Sequence, residues 1–265
     1  GDWSSDVCSS DLFTEDGGSV IVTEFDWLAP ALANDTLTVV YWVKKHVVGN
    51  SSAFWISTTT AGSGNRAFQA HAPWSNGQIY FDTQGCCAAP GQRINAVLAD
   101  FDANPDFWND WHLMSFSKAG GVKEIRIDGD LFLDGIDADP LTDDIIGLNI
   151  GSAGDRGNPD RSIFDDFAVF DTALSEADLK SIVNGGSPAD LADKGLLAYW
   201  DFNEAPAAGG GSIGGVSLQD GMVVIEFEGT LKSSGTVNGD YSAVAGATSP
   251  YTVAPDGSQA FFIAE

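Results

Sequence analysis

Along most of the chain apolar and polar positions alternate over short stretches, and Gly, Asn, Asp and Pro interrupt the runs about every ten residues. A period of two marks half-buried extended segments, whereas the 3.6-residue period of an amphipathic helix is rare here. The pattern predicts strands at 19–25 (SVIVTEF), 36–43 (TLTVVYWV), 53–59 (AFWISTT), 66–71, 78–82 (QIYFD) and 92–98. Further strands are predicted at 111–117 (WHLMSFS), 122–133, 146–150, 163–170 and 195–202 (GLLAYWDF). Within VKEIRIDGDLFLDG, Val122, Glu124, Arg126 and Asp128 oppose Lys123, Ile125 and Ile127, and Asp128-Gly129 is a tight hairpin signal. In 163–170, Ile163, Phe167 and Val169 are expected mostly on one face, with Asp165 and Asp166 on opposite faces. So many short strands can hide their rings only by stacking two layers, so the fold class is an all-β antiparallel sandwich. Eight Trp and 16 Phe suit two large sheets.

Two helical patches break the pattern, at 175–184 and 188–193. In the first, Ser175 can accept from the amide of Asp178. SEAD is therefore a capping box that opens a short helix, and Gly185 and Gly186 stop it. Together, TLTVVYWVK, NDWHLMSFSK, EIRIDGDLF, LNIGS and IFDDFAVFDTALSEADL resemble laminin-G-like, concanavalin-A-like jelly rolls of bacterial extracellular proteins, over residues 13–204. The resemblance implies a two-sheet jelly roll whose terminal strands lie together. On that basis GLLAYWDF closes the sandwich against the strand holding Val20 to Phe25. After Glu204 the stretch APAAGGGSIGG is expected to be a flexible Ala/Gly linker, taken as 205–215. Residues 216–265 alternate again, with turns at Asn238-Gly239 and Pro255-Asp256-Gly257, and resemble a small β module appended to secreted bacterial proteins. About fifty residues make a thin core, so this module is expected to be stable only when packed on a neighbour.

Residues 2–12, DWSSDVCSSDL, match one reading frame of a common sequencing adapter, and 1–12 are set apart from the fold on that ground. The only methionines are Met114 and Met222, so the chain is expected to be a fragment from assembled environmental DNA, with other domains of the same polypeptide upstream. Setting the stretch aside removes Cys8 and leaves Cys86 and Cys87. The formal charge of -26 loses the three acids Asp2, Asp6 and Asp11, which leaves -23. Such a balance repels phosphate backbones and anionic membranes, which excludes nucleic acid as a partner. No apolar run approaches the roughly 18 to 20 residues of a membrane helix, so membrane insertion is excluded as well. A secreted or cell-surface setting and tolerance of salt fit this composition.

The segment 65–93, NRAFQAHAPWSNGQIYFDTQGCCAAPGQR, crowds Arg66, His71, Trp74, Tyr80, Asp82, Cys86, Cys87 and Arg93 into a strand, turn, strand and loop. A flat ring covering the apolar face of a sugar, beside His, Asp or Arg reading its hydroxyls, is a common way to hold carbohydrate. These eight residues are therefore the candidate ligand site. The alternative is that Trp74 and Tyr80 fill the sandwich and Arg93 decorates the surface. For Cys86 and Cys87, neighbouring Cα atoms about 3.8 Å apart fall short of the usual disulfide span, so a vicinal bridge needs a strained ring. Two reduced thiols are the other option, and two sulfurs are too few for a metal.

Acids abound, and hard cations take oxygen ligands. Laminin-G-like jelly rolls often hold calcium at the sheet rim, and the resemblance makes Asp165 or Asp166 with Asp26 the expected ligands. A solvated acidic face explains most of these residues without a metal, and no EF-hand spacing occurs. Glucan hydrolases of similar fold carry an E-x-D-x-x-E strand, but neither Glu24 nor Glu124 continues to the third acid. No G-x-S-x-G, HExxH or phosphate-cradling loop is present, and His46, His71 and His112 are scattered. The expected function is a non-catalytic module that binds polysaccharide or glycan, or mediates adhesion, within a larger extracellular bacterial protein. A structural spacer and a concanavalin-A-fold glycoside hydrolase are the alternatives.

Overall fold

The computed structural model describes residues 19–23, 25–59, 64–202, 213–219, 222–234, 241–254 and 261–264. The adapter-like stretch, Glu24, and the turns at Asn238-Gly239 and Pro255-Asp256-Gly257 lie outside the described residues. So does the expected linker as far as residue 212; its last residues, 213–215, belong to a strand. The chain divides into two compact units between Asn203 and Glu204.

The first unit carries β1 (Val20–Val22), β2 (Thr36–Lys45), β3 (Phe54–Thr58), β4 (Arg66–His71), β5 (Gln78–Thr83) and β6 (Arg93–Val97). It continues with β7 (His112–Ala119), β8 (Val122–Ile127), β9 (Asp130–Ile136), β10 (Ile145–Ile150), β11 (Ser162–Phe170) and β12 (Leu196–Trp200). They form two six-stranded sheets, β1-β10-β3-β4-β5-β6 and β12-β11-β2-β7-β8-β9, antiparallel throughout. Alternation turns Phe54, Ile56, Phe68 and Phe81 of the first sheet inward onto Val39, Tyr41, Phe116 and Ile125 of the second, all essentially unexposed. Their rings meet edge-on or offset, as in Phe68–Phe81 with centroids 4.8 Å apart. The Asp128-Gly129 turn joins β8 to β9 with φ of 52° and 84°, the left-handed pair of a type I′ hairpin.

Helix α1 (Ala29–Ala33), which the periodicity did not signal, follows a 3-10 turn at Asp26–Leu28. Helix α2 (Glu176–Val183) opens as expected: Ser175 Oγ accepts from the Asp178 amide at 3.2 Å, and the Asp178 carboxylate accepts from the Ser175 amide at 3.0 Å. Its apolar stripe, Leu179 and Ile182, packs with Leu174 on Val40, Leu113, Ala168 and Phe170, the outward positions of the second sheet. The other helical patch is a 3-10 turn, Pro188–Lys194.

Two expectations require correction. The strand β12 pairs with β11 in the second sheet, and β1 pairs with β10 in the first, so the terminal strands share no ladder. Two neighbours, β7 and β11, already occupy β2, and β12 takes the free edge of β11; Trp27 and Trp200 meet edge-on at 5.9 Å. Second, Ile163 does not share a face with Phe167 and Val169. A bulge sets two residues of β11, Asp166 and Phe167, against one of β2, Tyr41, with Asp166 at φ 50°. The extra residue reverses parity, so Phe164 lies inward before it and Phe167 and Val169 after it, while Ile163 is half-buried on the other side.

Three lysines occupy inward positions near the margins of the core, and each is neutralised or capped. Lys45 Nζ lies 2.8 Å from both Asp160 oxygens and 3.1 Å from Ser162 Oγ. Lys118 is held by Asp35 at 2.6 Å and by the Gly120 carbonyl at 2.7 Å. Lys123 donates to the carbonyls of Phe81, Gly91 and Gln92 at 3.0 to 3.2 Å, and burial pushes its ammonium down to about 8.

The second unit contains β13 (Ile213–Gln219), β14 (Met222–Phe227), β15 (Leu231–Ser234), β16 (Ser242–Ala243), β17 (Tyr251–Val253) and β18 (Phe261–Ala264). They form two three-stranded sheets around Ile225, Phe227 and Leu231.

Breaking the Lys45–Asp160 pair strands a buried charge, so Asp160→Asn is expected to lower stability by about 3–5 kcal/mol in urea unfolding, whereas Lys45→Met with Asp160→Leu restores much of it.

Candidate ligand-binding cleft

With Phe54, Phe68 and Phe81 committed to the core, the residues between them face away from it on β3 to β6: Trp55, Gln69, His71, Tyr80, Asp82 and Arg93. Register then makes neighbours of them. Trp55 stands opposite Gln69, Gln69 opposite Asp82, His71 opposite Tyr80 and Asp82 opposite Arg93. Above this face lies a cleft of about 620 Å³, lined by Trp55, Arg66, His71, Trp74, Tyr80 and Arg93 together with Asn65, Asp155 and Asn158. The 152–158 loop approaches so closely that a Cβ on Gly154 would fall 2.5 Å from Ser57 Oγ and 2.9 Å from Trp55 Nε1.

Asp82 organises one side. It has no exposure, and its carboxylate accepts from Arg66 Nη1 at 2.7 Å and, as a fork, from Arg93 Nε and Nη2 at 2.6 Å each. Each guanidinium also lies over a ring, Arg66 over Trp55 at 4.8 Å and Arg93 over Tyr80 at 4.6 Å. The hydrogen bonds to Asp82 raise Arg93 above its ordinary value, whereas burial lowers Arg66 despite the same partner.

His71 is 5% exposed and lies 2.9 Å, through Nδ1, from the Ser51 carbonyl, with Ser52 Oγ at 3.2 Å. Burial outweighs the Ser51 carbonyl and Asp82 and pulls the imidazole down to about 4. At neutral pH the ring is uncharged, Nδ1–H donates to Ser51, and Nε2 is an acceptor. Trp74 leans on this ring with centroids 4.4 Å apart, and Tyr80 meets it edge-on at 6.0 Å. Trp74 is set by a tight turn that follows the cis Ala72-Pro73 peptide: its amide donates to Gln78 and its carbonyl accepts from Gly77, both at 2.8 Å.

The structure thus brings Arg66, His71, Trp74, Tyr80 and Arg93 together around the cleft. Asp82 lies buried between the arginines. Cys86 and Cys87 do not line the cleft; they are joined as a vicinal disulfide with Cα atoms 3.7 Å apart. Their loop is braced by Gln92, whose Oε1 accepts from Ala88 and Ala89 and whose Nε2 donates to Gln84, and by Gly85, whose amide donates to the Arg66 carbonyl at 2.8 Å.

The residues expected to hold calcium lie on different elements. Asp26 sits in the 3-10 turn, while Asp165 and Asp166 form the β11 bulge, where Asp165 Oδ1 accepts from the Asp166 amide at 2.9 Å. Asp166 accepts from the Tyr199 hydroxyl, and burial raises its carboxyl. Among the described residues no three His, Cys, Asp or Glu side chains are grouped to hold a metal ion. His112 has a structural role: its ring stacks on Phe107 at 3.6 Å and bonds Asp128 at 2.7 Å and the Phe107 carbonyl at 2.8 Å.

Trp55, Asn65, Gln69, Asp155 and Asn158 were not anticipated. The Phe-Trp-Ile alternation of β3 carries the signal for Trp55, because Phe54 and Ile56 must both turn inward. Asp155 and Asn158 arrive from a loop distant in sequence and leave no local trace. Gln69 is wholly buried, with neither amide oxygen nor nitrogen hydrogen-bonded.

No known protein family and no curated protein matches the sequence. Among solved structures, the chain is similar to a protein of Bacteroides ovatus ATCC 8483 provisionally named carbohydrate binding, at 14% identity over 72% of this chain and 49% of that one, TM-score 0.45. It is also similar to botulinum neurotoxin type C, whose cell entry depends on interaction with two ganglioside molecules, at 18% identity over 64% and 40%, TM-score 0.49. A third is the receptor binding domain of the botulinum neurotoxin C/D mosaic serotype, at 13% identity over 88% and 59%, TM-score 0.48. The chain spans between 40% and 59% of these three proteins.

Because His71 is depressed in the fold, its contribution to stability is full above the unfolded value near 6.5 and is lost as pH falls towards 4, a loss on the order of 3 kcal/mol. Unfolding at stepped pH is expected to show this slope and to show it flattened in His71→Gln. Gln69→Met, which removes the unbonded amide at similar volume, is expected to raise stability by about 1–3 kcal/mol in the same assay.

Proposed function

We propose that the first unit is a non-catalytic module that binds glycan in the cleft on the outer face of its first sheet. The observation that carries this reading is the convergence of half-exposed Trp74 and Tyr80 rings with the neutral His71 acceptor and the Arg66 and Arg93 donors around one concavity. Rings cover the apolar face of a sugar, and fixed donors and acceptors read its hydroxyls. The volume of about 620 Å³ falls within the range of small-ligand sites, roughly 300–1,000 Å³. Asn65 and Asn158 supply further hydrogen-bonding groups to the lining.

Hydrolysis of a glycosidic bond by paired carboxylates needs two acids facing each other. Of the described residues lining the cleft, Asp155 is the one carboxylate, and Asp82 is sealed behind two arginines. This supports binding over catalysis. An extracellular or cell-surface setting within a larger bacterial protein belongs to the same proposal; no helix among the described residues is long and apolar enough to cross a membrane.

A broad glycan array followed by affinity electrophoresis tests the reading. The wild-type chain is expected to retain at least one glycan class, and Trp74→Ala to weaken that binding at least about tenfold while the thermal transition stays cooperative. An array without retained glycans, or a Trp74→Ala chain that binds as wild type, would overturn it.

A further inference from the structure

The chain carries 12 Lys and Arg against 38 Asp and Glu, so a surface presenting cations is uncommon on it. Two of those twelve, Arg66 and Arg93, stand side by side in the cleft. The carboxylate between them does not face the ligand space, because Asp82 has no exposure, whereas the arginine side chains are 16% and 26% exposed. Arg93 engages Asp82 through Nε and Nη2, which leaves Nη1, and Arg66 engages it through Nη1 alone. The other charged group lining the cleft is Asp155, whose Oδ1 accepts from the Gly157 amide at 2.9 Å within its own loop. One wall is therefore guanidinium and ring, fixed from behind by a buried carboxylate.

We propose that the saccharide taken by this cleft is acidic, its carboxylate or sulfate oxyanion received by Arg66 and Arg93 while Trp74 and Tyr80 cover the sugar ring. The inference rests on the glycan reading above. An arginine held by a carboxylate and a ring loses little rotamer freedom on binding, and its planar fork matches an oxyanion as a lysine ammonium does not. An oxyanion adds charge–charge attraction and a bidentate fit to the hydrogen bond that an arginine also makes to a neutral hydroxyl, so the acidic group becomes the selected feature.

The test uses the full chain in titration calorimetry with two matched pairs of probes: oligogalacturonate against its methyl ester, and a sulfated glycan against its desulfated form. At least one acidic member is expected to bind about tenfold or more tightly than its neutral partner. Arg93→Gln is expected to bring that ratio within about threefold, and Arg93→Lys to recover only part of it. Preference in the first pair assigns the oxyanion to a carboxylate, and in the second to a sulfate ester. Equal affinity for charged and neutral partners, with binding still dependent on Trp74, overturns the acidic inference and leaves the glycan reading standing. Absence of binding to every glycan overturns both. Should Arg93→Gln fail to fold, the matched probes on the wild-type chain decide alone.

Discussion

A strand has two faces, and the core can take only one of them. In the second sheet of this sandwich the outward face is taken up as well, because Leu179 and Ile182 of α2 pack on Val40, Leu113, Ala168 and Phe170. Among the described residues no helix packs on the outward face of the first sheet, and β3 to β6 place aromatic, basic and amide side chains there. The candidate site is thus the face that folding leaves over, bounded by the turn carrying Trp74 and the loop carrying Asp155.

That face has its own energetic logic. A wholly buried carboxylate is expensive to desolvate, and only good geometry with charged donors offsets the cost. Asp82 meets this condition with three hydrogen bonds of 2.6 to 2.7 Å from two guanidinium groups. The arginines are ordered in the process, so the fold itself arranges the polar wall of the cleft before any ligand arrives. Nearby, the unbonded Gln69 amide and the uncharged His71 are further costs carried on the same face. Sequences tend to violate packing rules where a site needs them violated.

Much of this was legible in the sequence, for identifiable reasons. The strands follow from period-two alternation, the Asp128-Gly129 hairpin from turn chemistry, and the start of α2 from the Ser175–Asp178 box. The grouping of Arg66, His71, Trp74, Tyr80 and Arg93 was visible because β4, β5 and β6 are consecutive neighbours, so closeness in sequence became closeness in space. What escaped was non-local. The β11 bulge adds one residue and reverses the faces of everything after it, which no count of alternation reveals. The placement of β12 depends on which edge is free. Nor does the sequence show which acids are engaged within the fold, as Asp35 is by Lys118, Asp128 by His112 and Asp166 by Tyr199.

The bridge between Cys86 and Cys87 has a consequence for how the sandwich holds together. A cross-link stabilises a fold largely through the length of chain it encloses, and one joining consecutive residues encloses almost none. The covalent tie therefore shapes a single bend beside the Arg66 backbone and leaves cohesion of the two layers to ring packing and inward-facing ion pairs. Oxidation of the thiols governs the path of one loop, while the architecture answers to solvent, temperature and pH.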